Sequence, residues 1–471
     1  MTLFSNTAHL GYSASLDMAR LARKLRLTDY FTLAFGTMVG VGWLVVMDDW
    51  LGRGGPLGGI LGFAIGGAIL LPIGYVYGQL VMAIPDAAGE VAYTAKVFPQ
   101  PISFATGWLM LLAYLVVCPW EAVAIGRIAG YLFPALDSVG LYRLADKPVY
   151  LPHVVVGLGL TGILVWLNYH GIRGSATFQN WTTFGALGLF AALVACGVAK
   201  GSPQNFSPLF SGRGGLVSVL LVMQIVPYFM TGFESVAKCA EEANPEFRER
   251  GFFRAIVMAI VLAILFYVIA IAVVAYVSPW PELSHQKFAT AVAFESALRS
   301  RWVVSLILAA ALLSLLRVFN GNFVAASRLL FALGRRGLVD SRLGWVHPVN
   351  RTPGVAVIWV GLVTAAAALL GSAILVPITE VGSLASAAGW LAACLAYLRM
   401  NPSSGKRAAA VSGALVAALL VLMKVVPFVP GHFSVYEYLA LALWALAGLL
   451  LHLRARATPR PLPGENHTGM L

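Results

Sequence analysis

Twelve apolar runs, each long enough to cross a bilayer as a helix, constrain this chain more than any other feature. A helix needs about 20 mostly apolar residues to traverse the hydrocarbon core. The runs lie near 31–50, 57–83, 102–133, 152–168, 177–198, 215–237, 253–277, 302–333, 354–372, 377–398, 408–428 and 434–453, and are numbered spans 1 to 12. Spans 3 and 8 exceed the bilayer's needs, which implies tilt or extension beyond it. The 471 residues would suggest about three soluble domains by length alone. Yet 59% are hydrophobic, only 11% are charged, and the mean hydropathy is +0.82. A soluble fold has nowhere to bury that much apolar surface, so the expectation is one all-α integral membrane domain in contact with the lipid bilayer.

The net charge of +12 does not indicate nucleic acid, because the basic residues sit in short loops between apolar runs and form no aromatic-basic groove pattern. With the N-terminus inside, 21 Lys and Arg fall on inner segments and nine on outer ones, while Arg127 and Arg317 lie within spans. That bias places both termini in the cytoplasm, and an even number of spans requires them on one side. The expected location is a bacterial inner (plasma) membrane. The four cysteines have no metal spacing and read as small buried residues. The eight histidines are scattered, with His170 and His347 in loops. No signal peptide is evident. No Walker motif, nucleophile elbow or metal signature appears, so no cofactor or metal is expected and neither ATP-driven pumping nor catalysis is supported.

Span 1, "FTLAFGTMVGVGWLVVMDDW", carries Gly36, Gly40 and Gly42 and ends with two acids before its final Trp. Glycine is a poor helix former. Span 6 is interrupted in the same way, by Pro227 and by "TGFES". The broken spans are five apart, and so are the long spans 3 and 8. This spacing predicts a 5+5 inverted repeat plus two extra helices. The parts are a cytoplasmic N-terminal segment (1–30), a first repeat (31–200), a second repeat (201–400), spans 11 and 12 (401–456) and a disordered cytoplasmic tail (457–471).

A helix broken inside hydrocarbon frees backbone groups that need partners, which is tolerable only where the break lines a cavity. Freed N–H groups at the start of the outer half-helix attract an anion such as a carboxylate. Freed carbonyls at the end of the opposing half-helix attract a cation such as an ammonium. Two facing breaks can thus grip both ends of an α-amino acid, and Gly40 and Gly42 let a ligand approach the backbone. The alternative for these glycines is close helix packing, which is the preferred reading for Gly62, Gly66 and Gly67 in span 2.

"GTMVGVGW" resembles the Gly-rich first helix of the amino acid–polyamine–organocation transporters, of the bacterial amino acid permease type. "RGGPLGGILGF" is similar to that family's start of helix 2, and "IPDAAGEVAYTAKVFPQPISFATGW" to its loop between helices 2 and 3. "YFMTGFESVAKCAEEANPEFRERGFFRAI" resembles its helix 6 and following loop, and "SRLLFALGRRGLVD…HPVNRTPGVAV" its end of helix 8. The resemblance covers roughly residues 25 to 400 and implies alternating access. By position it assigns a substrate's carboxylate to the backbone N–H groups of Val41, Gly42 and Trp43, and its amine to carbonyls near Phe229, Met230 and Thr231. It also puts Tyr228 at an aromatic gate, gives Gly232 the role of clearance, and puts Glu234 where the family often has an acid.

Several charges lie inside spans. Glu121 in span 3 reads either as a group for a cationic substrate end or a proton, or as half of a structural ion pair with Arg127 or another span. Its six-residue separation from Arg127 does not put the two face to face. Arg317 must find acceptors, because a buried arginine stays ionised. By the resemblance it falls near a sodium-ligand position, where its guanidinium stands in for the ion and bridges span 8 to span 1. The alternative is a packing pair with Glu121 or Glu234. Glu234 reads as a polar anchor or proton carrier more than a substrate contact. Asp48 and Asp49 point about 100° apart, so only one of them can face the vestibule while the other nears the headgroups beside Arg53; the preferred reading is a solvated outer helix end, the alternative a cation-attracting vestibule. The inner loop "CAEEANPEFRERGFFR" is expected to form salt bridges or solvated faces. Span 5 contains no lysine of the kind some relatives use as a fixed cation.

These features predict a secondary transporter of a small-molecule substrate, an amino acid or related amine, coupled to protons or working by exchange. The alternatives are a polyamine or cationic-amine carrier with no carboxylate requirement, and, less well supported, a membrane receptor or enzyme.

Overall fold

The computed structural model describes residues 21–144, 147–286, 288–371, 375–429 and 432–457. Residues 1–20 of the expected N-terminal segment and 458–471 of the expected tail lie outside the described residues. All twelve apolar runs are helical. Nine helices among the described residues are long and apolar enough to cross a membrane. The runs missing from that set are the two broken ones and span 9, whose helix Gly354–Ala368 has 15 residues. Leucines of span 12 such as Leu439, Leu446 and Leu453 are more than half exposed, as suits a helix whose outer face meets lipid.

Spans 3 and 8 reach their length differently. Span 3 is two helices, Gln100–Leu115 and Val117–Leu132, meeting at Val116. Pro119 explains the joint, since it has no N–H for the carbonyl four residues back. Span 8 is one unbroken helix, Arg301–Arg335. Its 35 residues measure about 52 Å at 1.5 Å each, well beyond the bilayer core.

The join between spans 1 and 2 differs from expectation. Span 1 does not end at residue 50. Its outer part continues through Asp48, Asp49 and Trp50, and the chain reverses at Gly55, where φ is 65° and ψ −179° inside the stretch Met47–Ala68. Only glycine suits that site: a Cβ there would also lie 2.8 Å from the Phe210 backbone. Span 2 then packs on spans 6 and 7 through its glycines. A Cβ on Gly62 would lie 2.6 Å from Val222, on Gly66 2.7 Å from Val226, and on Gly67 2.4 Å from Ile264. Close packing is therefore what these three glycines provide.

The face that carries Lys24 and Leu25 is tightly tied. The N–H groups of Lys24 and Leu25 donate to the Glu242 carbonyl at 2.8 and 2.9 Å. The Glu242 carboxylate accepts from Arg328 Nε at 3.2 Å, with both side chains buried. Glu241 accepts from Arg335 Nη1 at 2.8 Å, and Asp86 pairs with Arg336. The acidic loop after span 6 thus forms salt bridges to its neighbours. The opposite face carries a β-hairpin, Gly140–Leu144 against Lys147–Tyr150, and short helices at Trp280–Leu283 and Ala289–Leu298. The apolar periodicity gave no sign of these outer pieces.

Candidate functional site

The first helix of span 1, Leu27–Met38, gives way at Val39 (φ −93°, ψ 94°), and a short helix resumes at Gly42–Val45. The break frees carbonyls at the end of the inner half, and side chains from other spans capture them. Tyr267 Oη donates to Met38 O at 2.9 Å, and Arg317 Nη2 donates to Val39 O. Asn322 Nδ2 lies 3.5 Å from Thr37 O. The donors on the other side are left open: among the described residues the N–H groups of Val41, Gly42 and Trp43 have no hydrogen-bond partner.

Span 6 breaks lower than its proline. Pro227 sits in the first turn of Val226–Met230, where a missing N–H costs little. Between Gly215–Met223 and that helix the chain only tightens. The opening lies at Thr231 (ψ 134°) and Gly232 (φ 137°), before Ser235–Lys238. A Cβ on Gly232 would lie 2.7 Å from Met38 N, so the two breaks touch there. Here the chain fills its own donor: Gly232 N–H donates to Glu234 Oε2 at 3.1 Å. Thr231 Oγ1 lies 2.6 Å from both Pro227 O and Ser386 Oγ.

Between the breaks is a cavity of about 20 Å³, room for roughly one water molecule. Gly40, Val41, Gly42, Glu121, Tyr228, Phe229 and Thr231 line it. Three residues expected at the site do not. Met230 and Gly232 stand behind the wall, and the Trp43 side chain lines a separate cavity toward spans 5 and 8. Gly42 is required for this packing, because a Cβ there would lie 2.4 Å from the Phe229 ring. Glu121 is 3% exposed and its Oε2 has no partner. Its Oε1 is 3.6 Å from where a Cβ on Gly40 would be. Glu121 lies in the second helix of span 3, just beyond the joint at Val116. No ion pair joins Glu121 to Arg127 or Arg317 among the described residues, although Arg317 is near enough to attract it.

Arg317 is 1% exposed. Besides Val39 O it bonds Ser314 Oγ at 2.8 Å, and its guanidinium lies 5.5 Å from the Phe35 ring centre. The alternative of a packing pair with Glu121 or Glu234 is not what forms: the guanidinium binds backbone and hydroxyl oxygens, bridging span 8 to the break of span 1. It approaches from behind and is not a wall of the small cavity. Asp48 is also apart from that cavity. It is half-buried, with Oδ1 lacking a partner and Arg127 as the opposite charge acting on it. Asp49 is exposed and pairs with Arg53 at 2.7 Å, so the two acids do part company as their helical spacing requires.

Tyr267 in span 7 was not singled out from sequence. Its hydroxyl lies 2.9 Å from Met38 O and 3.3 Å from Phe229 O, so it touches both breaks. Nothing in "AILFYVIAIAV" marks it. Asn322 did carry a signal, since "FNGN" puts two amides in the middle of an apolar span, which is costly without partners. Asn320 has them: it bonds Asn168, Ser175 and Gln179 of spans 4 and 5 at 3.1 Å each.

Comparison with known proteins agrees with this architecture. The amino acid permease family profile matches residues 25–450. The chain is 26% identical to the branched-chain amino acid permease BcaP of Bacillus subtilis (strain 168), covering 77% of each chain. It is 24% identical to the methylthioribose transporter of the same organism, over 79% of this chain and 81% of that one. It is 24% identical to the aromatic amino acid transport protein AroP of Escherichia coli O157:H7, over 70% and 71%. With a family match spanning nearly all twelve spans and both breaks, the chain belongs to the amino acid permease family.

Proposed function

We propose that this chain is a secondary transporter that carries an amino acid or related amine by alternating access. The observation that carries the reading is the open row of N–H donors at Val41, Gly42 and Trp43, of which Val41 and Gly42 line the same small cavity as the Glu121 carboxylate. Donors at a helix start favour a carboxylate, while Glu121 and the carbonyls at Phe229–Thr231 favour an ammonium. A zwitterion satisfies both ends. The relatives named as amino acid permeases agree with this substrate class. The cavity is too small for such a ligand as it stands, so binding requires the Tyr228 and Phe229 rings to move. The ion pairs on the N-terminal face suit a closed state on that side, with both termini cytoplasmic in a bacterial plasma membrane. The repeats run 31–200 and 201–400. Arg317 occupies the carbonyl that an ion would need, which favours proton coupling or exchange over sodium.

A second reading has an observation of its own. The unpartnered oxygen of Glu121 suits a cationic amine with no carboxylate, and the methylthioribose transporter shows by its name that the family is not confined to amino acids. Thermal stabilisation of the purified protein decides between the two. Amino acids are expected to raise the melting temperature, and amines lacking a carboxylate to do so less. Stabilisation by the amines alone overturns the carboxylate site.

A further inference from the structure

A second cavity, of about 160 Å³, opens between spans 5, 7 and 8. Along span 5 its wall runs from Ala186 to Cys196, and along span 8 from Ile307 to Arg317. Each stretch spans ten helical steps, so the slot is about 15 Å long. Ala192 and Cys196 at its outer end are exposed on the lipid side of span 5. Its wall is aromatic and aliphatic, including Phe190 and Phe266 with ring centres 3.9 Å apart. At the deep end sits the Arg317 guanidinium, whose Nε and Nη1 are buried with no partner. Trp43 also lines the slot, and its indole Nε1 is a second buried donor without a partner. Arginine and tryptophan side chains only donate, and no Asp or Glu is among the described residues of the wall. Leaving such donors unmet in a dry interior costs about 1–3 kcal/mol each.

We propose that this slot is a binding site for an amphipathic monocarboxylate of the fatty-acid type, entering from the bilayer. The carboxylate meets Arg317 and Trp43, and the chain fills the apolar slot toward Cys196. The shape and the charge argue together: an apolar channel open to lipid, closed at mid-membrane by a cation whose Nε and Nη1 stay unmet although Ser314 Oγ accepts from its Nη2. A cationic amphiphile brings no acceptor for these donors, and a neutral alcohol brings an acceptor without the charge that complements the guanidinium. Because Arg317 also holds Val39 O, occupancy ties the state of the lipid-facing slot to the break in span 1.

The test uses the full chain in detergent or nanodiscs, with decanoate, decanol and decylamine as probes. Cys118, Cys239 and Cys394 are buried and Cys196 alone is exposed, so alkylation with a membrane-permeant maleimide reports on the mouth. Decanoate is expected to raise the melting temperature by several degrees and to slow Cys196 alkylation at least about fivefold, with decanol and decylamine doing neither. Ala192→Trp, which plugs the mouth without touching Arg317, is expected to abolish the decanoate shift while leaving the ligand-free melt near wild type. Arg317→Gln, if it folds, is expected to lose the preference for decanoate over decanol. Equal effects of the three probes, or an undiminished decanoate shift in Ala192→Trp, overturn the proposal. These readouts are independent of transport, so they stand or fall separately from the transporter reading.

Discussion

The two broken helices look alike in sequence, and the structure treats them in opposite ways. In span 1 the freed carbonyls are taken by Tyr267 and Arg317, while the N–H groups of Val41, Gly42 and Trp43 stay open. In span 6 the freed N–H of Gly232 is already filled by the carboxylate of Glu234. One break is therefore ready for an external anion, and the other carries its own. The pair does not grip a ligand symmetrically. On the proposed reading a carboxylate guest is expected at span 1, and the Glu234 contact at span 6 is the kind such a guest would make.

The sharpest way to break this comparison is at the point where the breaks touch. Gly232→Ala forces a side chain onto φ 137° and within 2.7 Å of Met38 N, a strain of about 2–4 kcal/mol. Uptake into proteoliposomes is expected to fall to background, with a lower melting temperature. Near-normal uptake would mean that the two breaks move independently. Next in size is Glu234. Glu234→Ala orphans the Gly232 N–H at a cost of about 1–3 kcal/mol, whereas Glu234→Gln keeps an acceptor and is expected to melt much nearer wild type. Equal losses in the two variants would assign Glu234 a role through its charge instead of its hydrogen bond.

A smaller, more selective effect is expected at Glu121. Glu121→Gln removes the charge across from the open donors and is expected to weaken binding of a substrate with an extra positive end about tenfold, near 1.4 kcal/mol. Binding of a neutral amino acid should change less, as titration calorimetry with matched ligands would read. Equal weakening of both would place Glu121 at the common ammonium. The smallest expected change is Tyr267→Phe, which loses one hydroxyl shared by both breaks and about 1 kcal/mol of stability in a thermal melt. No change at all would mean that Met38 O finds water or another donor.

Much of this was legible residue by residue. The run lengths disclosed the helices, and Gly40 and Gly42 marked a break whose donors do remain open. Other positions misled for local reasons. Of the two interruptions read in span 6, Pro227 sits in a first turn where proline is harmless, and "TGFES" holds the opening, at Thr231–Gly232. "DDW" looked like the end of span 1, but the glycines that reverse the chain come later, at Gly54 and Gly55. Tyr267 was invisible, because an aromatic residue in an apolar run has no periodic signature of its hydroxyl's target.

By itself the sequence determined that this chain lives in a bilayer, that these twelve apolar runs are helical, and that two of them break. Hydrophobic length and glycine placement are local properties, and the membrane permits few answers to them. Which freed backbone groups are satisfied was decided only by the tertiary structure. That depends on where side chains arrive: Tyr267 reaches carbonyls of both breaks, Arg317 a carbonyl of span 1 alone, and Glu234 folds back onto Gly232 two residues away. The ligand preference proposed for the site rests on what those arrivals leave unpaired.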